Sequence, residues 1–336
     1  MKEINTIVCS GGSVRCITFI GAFKKIDELR RAQEAKSEGE EKSEGEEKSE
    51  AEVKSEGEEK SEDEEKSEDE GVSIINIKTV AGVSAGSIFS LMYVVGFTPL
   101  EMEKEMLSIR LEKLKEIRFM NFLSKYGLDT GSLIIKWIED LLAKKSFDKK
   151  ITFQELFVKT NIDLQIFAAN VNKYNLTKFN YSCTPDIKVL DAIKMSMSIP
   201  FLFTATHFNI ETNQIDCPKG DIHVDGGLID NYPIYVFKDN LENTLGLKVI
   251  SNGEMESHNV DEKIDDIESY IYHVLACFII QREKKTTSNE LYKQRTVCIH
   301  TESITQTLNF ELTRDEKMRL IQIGYNAVCE FFNAQI

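Results

Sequence analysis

Two hydrophobic rhythms alternate along the chain. Ile4 to Cys9 is a short apolar run, as expected of a strand buried on both faces, whereas Val14 to Arg31 spaces its apolar residues as a helix packed on one side does. The alternation then repeats. Ile74 to Ala81 predicts a strand and Ala85 to Val95 a helix. Thr98-Pro99-Leu100-Glu101 reads as a helix start, with a capping hydroxyl, a proline at the first helical position and Glu three residues after the cap. Helical spacing follows over Glu101 to Met120 and Ser132 to Lys144. Ile162 to Asn170 predicts a strand, Ile187 to Met197 a helix stopped by Pro200, and Ile222 to Asp225 a short strand. Strands alternating with helices specify an α/β fold, with a mainly parallel central sheet between two helical layers.

One stretch obeys neither rhythm. From 34 to 70 a Lys-Ser-Glu unit returns at Lys36, Lys42, Lys48, Lys54, Lys60 and Lys66, with only Ala51 and Val53 apolar in its middle. Having nothing to bury, it is expected to be disordered. The recurring Glu38 to Lys42 spacing favours transient helix, which Gly39, Gly45 and Gly57 weaken. Because the repeat lies between a helix and a strand, it reads as an insertion within a single domain spanning 1–336, with a core over about 4–250 and C-terminal helices over about 260–336. Stretching a loop from about 5 to about 40 residues costs only about 1.8 kcal/mol. The repeat's serines suit an acidophilic kinase, and a solvated bristle is the plainer reading.

Charge sharpens the division. The chain carries a formal charge of −15, and residues 34–70 hold 19 acids against 6 lysines, leaving 37 acids and 35 bases elsewhere. The remainder has no basic face of the kind that drives nucleic-acid binding. Seven cysteines, at 9, 16, 183, 217, 277, 298 and 329, include no C-x-x-C pair and point to a reducing, cytoplasmic setting. Met1 to Cys9 lacks the architecture of a signal peptide, and the run from Val274 to Ile280 is far short of the roughly 20 residues that span a bilayer.

Three glycine-containing turns carry the candidate chemistry. Gly82-Val83-Ser84-Ala85-Gly86 sits between a strand and a helix, where a tight turn would expose the serine hydroxyl and aim a helix N-terminus at charge developing on an attacked carbonyl. Ser10-Gly11-Gly12-Ser13-Val14-Arg15 follows the first strand, and its N–H groups could cradle a phosphate or an oxyanion. Neither nucleotide-binding glycine spacing is present, so the oxyanion is preferred. Val224-Asp225-Gly226-Gly227 ends a strand with a carboxylate that could serve Ser84 as base. His207, Cys217 and His223 have no recognised zinc spacing, so neither a metal nor a cofactor is expected.

In this order the three turns resemble the patatin-like phospholipases. So do Gly21-Ala22-Phe23, Tyr126 through Gly131, Ser196 through Phe201 and Asp225 through Pro233, and the likeness covers roughly residues 4–250. The resemblance implies a three-layer patatin-like fold and a lipid acyl hydrolase that cleaves phospholipid or other acyl-lipid esters through a Ser-Asp dyad. Ser84 matches the nucleophile and Asp225 its base. Gly11, Gly12 and Ser13 match the oxyanion hole, with Arg15 at its basic position and Gly82, Gly86, Gly226 and Gly227 as supporting turns. Two positions depart from the family: Ser13 replaces a third glycine and Cys16 a fourth, which threatens hole geometry and packing. Alternatives are an acyltransferase, although Val83 stands where acyl-carrier acyltransferases have histidine, and a catalytically idle binding module. Leu107, Leu111, Leu114, Ile117, Met120 and Phe122, among Arg110, Lys113, Lys115 and Arg118, suit core packing better than peripheral membrane contact, and the stretch from Val274 to Lys285 has the same ambiguity.

Overall fold

The computed structural model describes residues 3–51, 74–250, 289–301 and 310–334, with Tyr270, Ile271 and Val274 besides. Its first half runs β1 (Ile4–Cys9), α1 (Thr18–Ala51), β2 (Ile75–Val83), α2 (Ala85–Val94), α3 (Pro99–Ser108), α4 (Phe119–Lys125), β3 (Gly127–Asp129), α5 (Ser132–Lys144) and α6 (Phe153–Thr160). The second half runs β4 (Asp163–Asn170), β5 (Asn175–Phe179), α7 (Val189–Ser196), β6 (Phe201–Phe203), β7 (Thr206–Asn209), β8 (Gln214–Ile215), β9 (Asp221–Asp225), β10 (Thr244–Ile250), β11 (Thr296–His300) and α8 (Arg314–Asn333).

The main sheet has the order β11-β10-β1-β2-β4-β9-β7-β8, with β5 on the free edge of β4. Strands β11, β10, β1, β2 and β4 are parallel; β9 and β5 run antiparallel to β4. Helices on both faces bury the parallel strands, and this is why nearly every position of β1, β4 and β10 is buried, without the alternation of a one-sided sheet. Ile7, Val80, Ile166 and Leu247 lie at the centre of the core. This is the expected three-layer α/β/α arrangement.

Three expectations are corrected. The stretch from Glu101 to Met120 is not one helix: α3 stops at Ser108, because Ile109 is extended and the Lys317 ammonium of α8 donates to the carbonyls of Met106 and Ile109 at 2.9 and 2.6 Å. A partner some 200 positions away terminates it, and no local signal announces that. The acidic repeat is not wholly irregular, since α1 continues to Ala51. Packing of Phe19, Phe23 and Ile26 has already nucleated that helix, after which each residue added to it gains a backbone hydrogen bond. The C-terminal region is not helices alone, for β11 extends the sheet beside β10 from Thr296 to His300. Its five residues are too few for a periodic signal.

The insertion leaves and re-enters the domain at one place, where the Ile75 N–H donates to the Gln33 side chain at 3.1 Å. The stretch from Val274 to Lys285 lies outside the described residues apart from Val274 itself.

Candidate active site

Strand pairing brings the two distant turns together. β2 pairs with β4 as far as Val83 opposite Phe167, and β9 takes over the same edge with Asp225 opposite Ala168, because β5 occupies the other edge. Since β2 runs parallel to β4 and β9 antiparallel, their C-terminal ends face each other. Ser84 Oγ therefore donates to Asp225 Oδ2 at 2.5 Å.

The backbone bends sharply at Ser84, with φ 51° and ψ −132°, a conformation that side chains other than glycine avoid. It persists because the surroundings leave no alternative. A Cβ on Gly82 would lie 2.7 Å from the Gly86 carbonyl, and one on Gly86 would strike the Ser10 carbonyl, so neither position tolerates a side chain. Ser196 secures the seam where β2 gives way to β9: its hydroxyl donates to the Phe167 carbonyl at 2.6 Å and accepts from the Ser84 N–H at 2.9 Å. The Asp225 N–H donates to the Ser198 carbonyl at 2.8 Å. Ser196 and Ser198 lie in the stretch that carried the family likeness, but their spacing gave no hint of these roles.

Asp225 Oδ1 accepts from the Gly227 N–H at 2.8 Å, at the turn that Gly226 begins. Burial raises the Asp225 carboxyl to about 7, and the hydrogen bonds from Ser84 and Gly227 only partly oppose it. His223 is engaged elsewhere, 3.0 Å from Thr177 Oγ1 and 3.1 Å from the Asp221 carbonyl, and burial lowers its basicity. Among the described residues no cluster of His, Cys, Asp and Glu could hold a metal ion.

The glycine loop is refined. The Gly11 N–H is already committed to the Asn231 carbonyl at 2.9 Å, so Gly11 positions the loop and does not offer a donor. The N–H groups of Gly12 and Ser13 have no acceptor among the described residues. Ser13 adopts φ 51°, the left-handed conformation that a glycine would take freely. Cys16 does not loosen the helix start: it is fully buried, with its thiol 3.7 Å from the Ser10 carbonyl. Arg15 is buried too, with Nε unpartnered, and it does not line the cavity. Asn231, whose side chain also donates to the Gly11 carbonyl at 3.3 Å, was not foreseen.

Ser13 and Ser84 face an apolar cavity of about 90 Å³, walled by Ile88, Phe89, Leu111 and Trp137 among others. A larger cavity of about 370 Å³ lies away from Ser84, beneath α4. The smaller of these two is the one with Ser84 in its wall.

The sequence profile described as patatin-like phospholipase matches residues 7–238. The chain belongs to that family. An uncharacterised protein of Acanthamoeba polyphaga mimivirus is 26% identical over 257 residues, which is 75% of this chain and 82% of that protein. A probable lipid hydrolase of Invertebrate iridescent virus 6 is 31% identical over 169 residues, 48% of this chain and 54% of that protein. VipD from Legionella pneumophila shares the fold, with a TM-score of 0.55 at 16% identity over 99% of this chain and 67% of VipD.

Proposed function

We propose that the chain hydrolyses acyl-lipid esters, of the phospholipase A or lysophospholipase type, through an acyl-serine intermediate. The observation that carries this reading is the 2.5 Å hydrogen bond from Ser84, in the wall of an apolar cavity, to the buried Asp225 carboxylate. Ser84 attacks the ester carbonyl while Asp225 takes its proton, and the N–H groups of Gly12 and Ser13 receive the oxyanion. Collapse of the tetrahedral intermediate transfers the Asp225 proton to the departing alcohol. Water, deprotonated by Asp225, then releases the fatty acid and restores Ser84. A carboxyl raised to about 7 is a far better proton acceptor for an alcohol than an ordinary aspartate. The iridescent virus relative, described as a probable lipid hydrolase, supports the choice of substrate.

A fluorophosphonate probe tests the nucleophile. Labelling of the wild type and not of Ser84→Ala is expected; no labelling of the wild type overturns the proposal. Turnover that survives Asp225→Asn but is abolished by His223→Ala would transfer the role of base to histidine.

A further inference from the structure

The latter half of the stretch assigned to the core by its spacing is turned outward. Phe119, Met120, Leu123 and Tyr126 are 70, 74, 70 and 58% exposed, with Ile117 at 56% and Phe201 at 46%. These residues form one face and not scattered singletons, since Phe119 stacks on Phe122 at 6.2 Å and Phe122 meets Phe201 at 6.4 Å. Tyr126 and Phe201, both on it, adopt φ of 61° and 68°, which bulky residues otherwise avoid.

Two further observations say what occupies the face. The first is a chain of apolar spaces. The cavity beside Ser84 shares Phe203 and Phe310 with a small cavity under Ile117, and that one shares Leu128 with the 370 Å³ cavity beneath α4. The second is charge. Arg110 to Tyr126 carries five bases, Arg110, Lys113, Lys115, Arg118 and Lys125, against Glu112 and Glu116, in a chain whose formal charge is −15. An apolar face with basic flanks matches the interface of a bilayer that carries anionic lipid.

We propose that α4 and its flanks, Ile117 to Tyr126 with Phe201, dock on an anionic membrane surface, and that an acyl chain drawn from it reaches Ser84 along this row of neighbouring cavities, past Leu128, Phe203 and Phe310. The second step rests on the hydrolase reading; the docking does not.

The test uses the full chain carrying Ser84→Ala, so that vesicles stay intact, and co-sedimentation with vesicles of phosphatidylcholine alone or with one part in three phosphatidylserine. Binding to the mixed vesicles should be about ten-fold tighter, and raised salt should weaken it. The combined substitution Phe119→Ser, Met120→Ser and Leu123→Ser should weaken binding by about 30-fold or more. Arg118→Glu with Lys125→Glu should weaken it on the anionic vesicles alone. With Ser84 restored, the triple variant should cleave a dissolved short-chain ester at the wild-type rate, which shows that the fold and pocket are intact. Were the hydrolase reading wrong, the wild type would fail that ester assay and vesicle binding would be unaffected. Equal binding by the triple variant and its parent, or no binding by either, overturns the docking face. So does a wild-type dimer that the triple variant dissolves, since a second copy would then own the surface.

Discussion

Asp225 owes its basicity to burial. At an ordinary aspartate the proton would be held too weakly to be drawn from serine, whereas desolvation raises this carboxyl to about 7. The proposed mechanism requires the ionised form, so kcat/KM on a soluble ester should rise with pH, reach half its maximum near pH 7 and stay level above it. A profile already flat at about pH 5 would mean that the base is an ordinary solvated carboxylate. The same shift weakens the fold. Between the ordinary aspartate value of 3.8 and about 7 the folded chain keeps a proton that the unfolded chain has released, so stability from this group is full below that window and is lost as pH rises through it. Asp225→Asn, which carries no charge to bury, should therefore gain stability relative to wild type on going from about pH 5 to about pH 8, on the order of a few kcal/mol, read by urea unfolding. Activity in that variant should fall by about 100-fold or more.

The elements explain why a long insertion is tolerated where it stands. The docked part of α1 is anchored by Phe19, Phe23 and Ile26, and its contact with β2 is complete at the Gln33 to Ile75 hydrogen bond. That hydrogen bond sets the two ends of the insertion side by side. Replacing residues 37–72 by a short Gly-Ser linker should leave turnover of a dissolved ester unchanged and shift the melting temperature by no more than about 3 °C, since loop closure changes by only about 0.6 kcal/mol per doubling of length. A large loss of stability on excision would mean that the acidic segment packs on the domain. The capping boxes at Thr98, Thr152 and Thr313 act at this level too, fixing where α3, α6 and α8 begin.

The assembled molecule depends on its last helix. α8 crosses α1 with the two backbones in contact: a Cβ on Gly324 would strike the Thr18 carbonyl, and one on Gly21 would strike the Ile321 carbonyl. The same helix supplies Lys317 to the end of α3 and packs Leu320, Ile321 and Val328 into the core. Gly324→Val should lower the unfolding midpoint by about 5 °C or more, while Gln322→Ala, on the exposed side of α8, should leave it unchanged. Gly21 stood out in the sequence because of the family likeness; its physical reason is this crossing.

Local chemistry was legible because it is written over short distances. Strand runs, the capping box at Thr98 and the glycines around Ser84 each depend on a few adjacent residues, and the three turns could be read in order from their side chains. Other features depend on partners far away in the chain and left no periodic trace: the union of β2 and β9 along one edge of β4, the Ser196 hydroxyl at their seam, and the commitment of the Gly11 N–H to Asn231. The outward face of α4 belongs with these. Its apolar spacing is compatible with core or surface alike, and only packing of the whole chain decides which, because burial belongs to the assembled layers and not to any one segment.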